Sequence, residues 1–233
     1  MYIIKRFLRL LAFSALALFG IGSAQAVVLF DNGSLTQDDY DQPTDLEWFA
    51  QQFTTGGQAY TLNSVTLRMS AIGTGSNVPT LDIYSGSSGP TTFVGTLTPP
   101  GSYPTTGFPN LGTAVFTSPA ISLAAGTTYW AVLHALNGSA NPRNEWATTK
   151  TSLYGLGTGP GYSEISFRST NAGSTWAAYG NGTPCQMTVD ATLSGAAPPP
   201  TVTNVPTLSE WGMIIMAGLL ALAAFVTMRR RSN

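Results

Sequence analysis

One histidine and one cysteine, His134 and Cys185, bound the chemistry open to this chain of 233 residues. Any serine triad has a single possible base, and there is no Gly-x-Ser-x-Gly elbow, Walker loop or His-Glu-x-x-His stretch. Disulfide frameworks and the usual zinc sites are excluded by the same two counts. His134 follows Trp130-Ala131-Val132-Leu133 on an expected strand and reads as a structural or rim residue, and Cys185 as a structural thiol. Gly155-Leu156-Gly157-Thr158-Gly159-Pro160-Gly161 has the glycines of a phosphate loop, but no helix follows and Pro160 breaks the pattern, so it reads as a flexible turn. The densest group of potential ligands is Asp38, Asp39, Asp41, Asp45 and Glu47. Hard carboxylate oxygens suit calcium, which takes about six to eight of them at about 2.3–2.6 Å. The spacing is not that of an EF-hand, since no glycine stands at the turn and no glutamate closes it, and a solvated acidic loop is the alternative.

Aromatic side chains offer a second chemistry. Trp48, Trp130, Trp146, Trp176 and nearby tyrosines present faces of the kind that stack on sugar rings, so a carbohydrate-binding, lectin-like module is one reading. A core filled by the same rings is the other, because each tryptophan sits in or beside an expected strand. A secreted glycan hydrolase is a third and weaker reading, for nothing singles out a carboxylate pair with one raised pKa.

The elements that must position these residues are strands. Residues 27–195 hold 27 Thr, 17 Ser and 21 Gly, a composition of strands and turns that is poor in Lys, Glu and Arg. Apolar residues recur with a period near two in Trp48–Thr54 and Leu62–Met69, and further strand-like runs are Leu81–Tyr84, Phe93–Leu97, Ala114–Phe116, Thr128–Leu133, Glu164–Arg168 and Met187–Leu193. Gly, Pro, Asn and Ser clusters separate them, no fixed-period repeat occurs and no soluble helix stands out. The expectation is one all-β domain over residues 27–195, an antiparallel, jelly-roll-like sandwich.

Charge marks the ends as different. Charged residues make up 9% of the chain, against roughly a quarter in an ordinary soluble protein. The folded part carries four cations and ten acids, net −6, while Lys5, Arg6 and Arg9 lie at one end and Arg229, Arg230 and Arg231 at the other. Nucleic acid is therefore excluded as a partner, since its basic patch belongs on the folded part.

Residues 1–26 read as a secretory signal peptide: a basic start, an apolar run from Leu10 to Gly22, and Ala24-Gln25-Ala26 before a cut preceding Val27. Signal peptidase and the Sec translocon are the implied partners. The apolar run, about 13 residues, falls short of the roughly 20 that span a bilayer, which disfavours an uncleaved anchor. Residues 196–204 form a proline-rich linker. Residues 213–228 carry no charge; as a helix rising ~1.5 Å per residue they reach about 24 Å, enough for a single transmembrane helix across a thin bilayer, with Trp211 at the interface. The 229–233 arginine tail then stays cytoplasmic and the domain lies outside.

Val205-Pro206-Thr207-Leu208-Ser209-Glu210-Trp211-Gly212, followed by a short apolar helix and an arginine cluster, resembles the IPTL-CTERM protein-sorting signal of Gram-negative bacteria, a relative of the PEP-CTERM signals handled by exosortases. Val205 stands where that family usually has isoleucine. The resemblance implies that an exosortase-like cysteine transpeptidase in the membrane recognises residues 205–212, cuts near them, and releases or transfers the exported domain to the cell surface or extracellular matrix. A plain single-span anchor is the alternative. Within residues 48–135, Ala50-Gln51-Gln52-Phe53-Thr54-Thr55, Tyr60–Leu67, Leu81–Ser85 with Gly89-Pro90, and Leu123–Val132 resemble a choice-of-anchor domain. These extracellular β-sandwich modules have no general assigned activity and the resemblance names no ligand; exopolysaccharide or other surface glycans are the partners that the carbohydrate-binding reading implies. Together the readings imply a non-enzymatic structural or interaction protein of the cell surface.

Overall fold

A computed structural model describes residues 25–72, 78–135, 143–179, 182–194 and 215–220. Ala24–Ala196 forms one compact unit. Its described strands are β1 (Ala26–Asp31), β2 (Asp39–Asp41), β3 (Trp48–Thr54), β4 (Tyr60–Ile72), β5 (Pro79–Ser85), β6 (Thr92–Thr96), β7 (Gly112–Thr117), β8 (Ser122–Leu123), β9 (Thr128–Ala135), β10 (Arg143–Thr148), β11 (Ser166–Ser169), β12 (Ala177–Ala178) and β13 (Met187–Leu193). A single helical turn, α1 (Thr151–Tyr154), follows β10. A second unit comprises Met1–Ser23 and Ala197–Asn233; within it residues 215–220 are helical and their apolar side chains exposed, Leu220 to 66%.

All strand pairs are antiparallel. A seven-stranded sheet runs β1-β13-β4-β10-β2 with β7 and β8 also on β4, and a six-stranded sheet runs β12-β11-β3-β9-β5-β6. The thirteen residues of β4 make it the spine of the first sheet, because it pairs with β13, β10, β7 and β8. Strict alternation along β4 would set Leu62 and Val65 on opposite faces, yet both are buried in the same core. A bulge resolves the conflict: Asp190 and Ala191 of β13 pair with Ser64 and Leu62, so Asn63 is passed over and the phase resets. A second irregularity in β1 passes over Leu29 and buries both Leu29 and Phe30.

Leu62, Val65, Leu67 and Met69 of β4 and Met187, Val189 and Ala191 of β13 meet Phe49, Phe53, Leu81, Ile83, Tyr129 and Leu133 of the second sheet in one core. The six-stranded sheet is buried on its other side as well, where Ala50, Trp130 and Val132 are inaccessible beneath Trp48, Tyr84, Phe167 and Trp176. For that reason β3 and β9 are buried along nearly their whole length, where alternation alone implied half-buried strands.

The Gly155–Gly161 segment is held tightly, which corrects the expectation of a flexible turn. Asp31 and Thr158 exchange backbone hydrogen bonds of 2.8 and 2.6 Å, the Gly161 N–H donates to Leu29 O at 2.7 Å, and the Thr54 N–H donates to Gly161 O at 3.1 Å. The loop thus sews β1 of one sheet to β3 of the other, and Gly157, Gly159 and Gly161 stand where backbone passes over backbone. A Cβ on Gly161 would lie 2.1 Å from the Thr54 carbonyl oxygen, whereas one on Gly57 meets nothing within 4 Å. Gly161→Ala is therefore expected to destabilise the domain by about 1–3 kcal/mol, and Gly57→Ala to stay within about 0.5 kcal/mol of wild type; urea unfolding of the two variants measures the difference.

Candidate functional site

Ala26 and Val27 open β1, where Ala26 pairs with Thr192 and Val27 with Ala191. Ala24, the motif Val205–Gly212 and the arginines Arg229, Arg230 and Arg231 lie outside the described residues. So does most of the expected 213–228 span, and among the described residues no helix is long and apolar enough to cross a membrane.

The acidic stretch does not converge on an ion. Asp38 pairs with Lys150 at 2.7 Å, Asp39 accepts from the N–H of Tyr40 and Asp45 from that of Leu46, and Glu47 pairs with Arg168. Among the described residues no group of three or more His, Cys, Asp or Glu is placed to hold a metal ion. The reason is topological: β2, a turn and the start of β3 carry these acids in different directions, and each meets its own partner.

Asp41 has a different fate. It sits on β2 at the edge of the first sheet and is 6% exposed. Tyr179, which follows β12 at the edge of the second sheet, donates its hydroxyl to Asp41 Oδ1 at 2.8 Å, and the Cys185 thiol faces Oδ2 at 3.8 Å. Arg168 lies over the rings of Phe49 and Tyr179, 5.8 and 5.6 Å from their centroids. This group of side chains closes one edge of the two-sheet structure, and no spacing in the sequence announces it, since its members come from positions 41, 168, 179 and 185. Burial pushes the Asp41 carboxyl up to about 6, with the Asp39 charge adding to the rise, while hydrogen bonds from Tyr179 and Cys185 and the charge of Arg168 pull the other way. Burial and the Asp41 charge hold the Cys185 thiol well above its ordinary value, so it stays protonated and a poor nucleophile.

His134, on β9, is 8% exposed. Its Nε2 lies 3.0 Å from Asp82 Oδ2, Asp82 Oδ1 accepts from Thr96 Oγ1 at 2.6 Å, and the imidazole stacks on Trp48 at 4.1 Å between centroids. Three tryptophans, Trp48, Trp130 and Trp146, are committed in a similar way. Trp130 and Trp146 are fully buried and donate their indole N–H groups to Gly86 O at 2.7 Å and Gln186 O at 2.9 Å. Trp48 donates to Asp45 O at 2.8 Å and has Gly173 so close that a Cβ there would lie 2.8 Å from its Cζ3. These three rings serve packing and offer no free face to a sugar.

Residues 203–230 match the IPTL-CTERM motif. This is a secreted protein with a C-terminal sorting signal. The matched range takes in Val205–Gly212, the uncharged stretch after it, and Arg229 and Arg230. No curated protein matches the chain.

The Asp41 geometry generates a pH dependence whose sign is set by the raised folded value. The unfolded carboxyl releases its proton near 3.8 and the folded one near 6. Between those values the native state binds the extra proton, so stability falls as pH rises through that window. Asp41→Asn keeps an acceptor for Tyr179 and is expected to remove a slope worth on the order of 3 kcal/mol. Urea midpoints of wild type and variant at about pH 4 and about pH 7 test it, and equal slopes in the two proteins would refute the assignment.

Proposed function

We propose that this chain is a non-enzymatic structural or interaction protein of a Gram-negative cell surface or extracellular matrix. The Sec translocon exports it, signal peptidase trims it before Val27, and an exosortase-like membrane transpeptidase recognises Val205–Gly212 and cuts nearby. In the same reading the folded part is a jelly-roll-like, choice-of-anchor-type module. The observation that carries the proposal is the IPTL-CTERM match at residues 203–230. A stretch of 16 uncharged residues followed by arginines halts translocation, which holds the segment around Pro206 at membrane level, where an embedded enzyme reaches it.

The domain's own connectivity supports this reading. β1 begins and β13 ends side by side: Ala26 pairs with Thr192, and the Leu193 N–H donates to Gln25 O at 3.3 Å. The chain enters and leaves the domain at one end, so a membrane signal on each side can be served without threading the domain between them. Ser194 N–H also donates to Ala59 O at 2.9 Å, which closes that end before the linker starts.

Replacing Pro206 and Trp211 with alanine should leave an unprocessed, membrane-retained protein. The mass of the mature chain decides the matter: the wild type is expected to begin at Val27 and to lack Arg231, and the double variant to retain Arg231. A wild-type mass that still includes Arg231, with the double variant differing from it by the two side-chain changes alone, would mean a permanent single-span anchor.

A further inference from the structure

The outer face of the seven-stranded sheet carries a recess of about 300 Å³, lined by Asp31, Ser34, Thr66, Arg68, Thr113 and Thr188 with the backbone of Gly33. That volume is at the lower end of the range for small-ligand sites, about 300–1,000 Å³. Its floor is the middle of the sheet, where Thr66 pairs with Thr188 and Arg68 with Thr113. Three of the domain's four cations have carboxylate partners, in the pairs Arg143–Glu145, Lys150–Asp38 and Arg168–Glu47. Among the described residues Arg68 has none, and it is the cation in the recess. The guanidinium is nevertheless held: with its carboxamide oxygen turned toward Arg68, Gln37 accepts from Nη2 at 2.9 Å and also from Nε. Two of five N–H donors are thereby used, and the others have no partner among the described residues. Across the recess Asp31 is fixed through one oxygen, Oδ1, which accepts from the Gly33 N–H at 3.0 Å and Thr188 Oγ1 at 2.9 Å; Oδ2 keeps its accepting capacity.

We propose that this recess binds a sugar bearing a carboxylate, a hexuronate unit. Its carboxylate takes the fork of Arg68, its vicinal hydroxyls donate to Asp31 Oδ2, and Thr66 and Thr113 supply hydroxyls that both donate and accept. The Asp31 charge and the net −6 of the domain count against a compact multivalent anion such as phosphate, and an uncharged sugar leaves Arg68 without its counter-charge. The site is distinct from the tryptophan-based sugar platform that composition alone brings to mind, since it contains no aromatic ring.

Calorimetry on the full chain with glucuronate, glucose and inorganic phosphate tests the proposal, with amide shifts of Thr66, Thr113 and Thr188 in NMR locating the site. Glucuronate is expected to bind at least about tenfold more tightly than either competitor, as suits one charge-assisted contact. Arg68→Ala should remove that preference while the melting temperature holds. Thr113→Asp, which sets a carboxylate opposite Arg68 in the β4–β7 ladder, is a second variant that blocks the site by a different route. No binding of glucuronate at millimolar concentration, phosphate binding as tightly as glucuronate, or glucuronate binding unchanged in a folded variant would each overturn it. Sorting is untouched by any of these outcomes.

Discussion

One long strand holds the first sheet together. β4 pairs along its lower half with β13 and β8, through its middle with β7 and at its upper end with β10, so four segments distant in sequence take their register from it. That arrangement demands an inward row, Leu62, Val65, Leu67 and Met69, in continuous contact with the opposite sheet. It is satisfied only because the bulge at Asn63 corrects the phase. A one-residue slip without it would turn Val65, Leu67 and Met69 toward water, and the outward row of Thr66 and Arg68 into the core. The recess on the outer face inherits its rigidity from this strand, since Arg68 and Thr66 project from the segment paired on both sides.

Low charge density shapes the rest of the surface and the interior. With so few ions, the domain pairs three of its four cations, and the fully buried Glu145 meets Arg143 at 2.7 Å while accepting from the Phe108 N–H at 2.9 Å and Ser70 Oγ at 3.3 Å. Such a carboxylate is tolerated because the Arg143 guanidinium stands beside Oε1 and two donors serve Oε2. Asp41 is the contrasting case: its contacts, a tyrosine hydroxyl and a thiol, are neutral, so burial prevails and its proton is retained to about pH 6. Elsewhere on the first sheet, neutral side-chain pairs such as Asn63 with Thr192 take the place that salt bridges hold on ordinary surfaces.

The strands with strong apolar alternation were legible from sequence: β3 and β13 have the bounds that their patterns imply, and β9 extends two residues further. β10 was not, because Arg143-Asn144-Glu145-Trp146-Ala147-Thr148 holds one large apolar residue and its burial comes from tertiary partners, β4 and β2. β2, β8 and β12, of two or three residues, are set by pairing alone and leave no periodic trace. The acidic stretch illustrates the same limit at the level of chemistry. Its density was visible, but whether five carboxylates converge depends on where β2 and β3 send them, and Lys150 and Arg168, which take up two of them, lie more than a hundred positions away. The paired role of Asp31 and Arg68 was equally hidden, since it needs β1 and β4 to flank β13.

In the export route proposed for this chain, the placement of β1 constrains the order of events. Ala26, the last residue of the expected signal peptide, already pairs with Thr192, and Gln25 O accepts from Leu193 N–H. A peptidase that binds its substrate as an extended strand competes with β13 for the same backbone groups. β13 is the last strand before the linker, so it reaches the far side of the membrane only after nearly the whole domain has been translocated. Cutting before Val27 is therefore favoured while β1 is still unpaired, and the completed β1–β13 ladder then seals the domain with only the linker leaving it. Long-range pairing of this kind, 157 to 166 positions apart in sequence, forms late because its loop-closure cost precedes its contacts. In the proposed export route, late β1–β13 pairing leaves time for the first cut before the last strand docks.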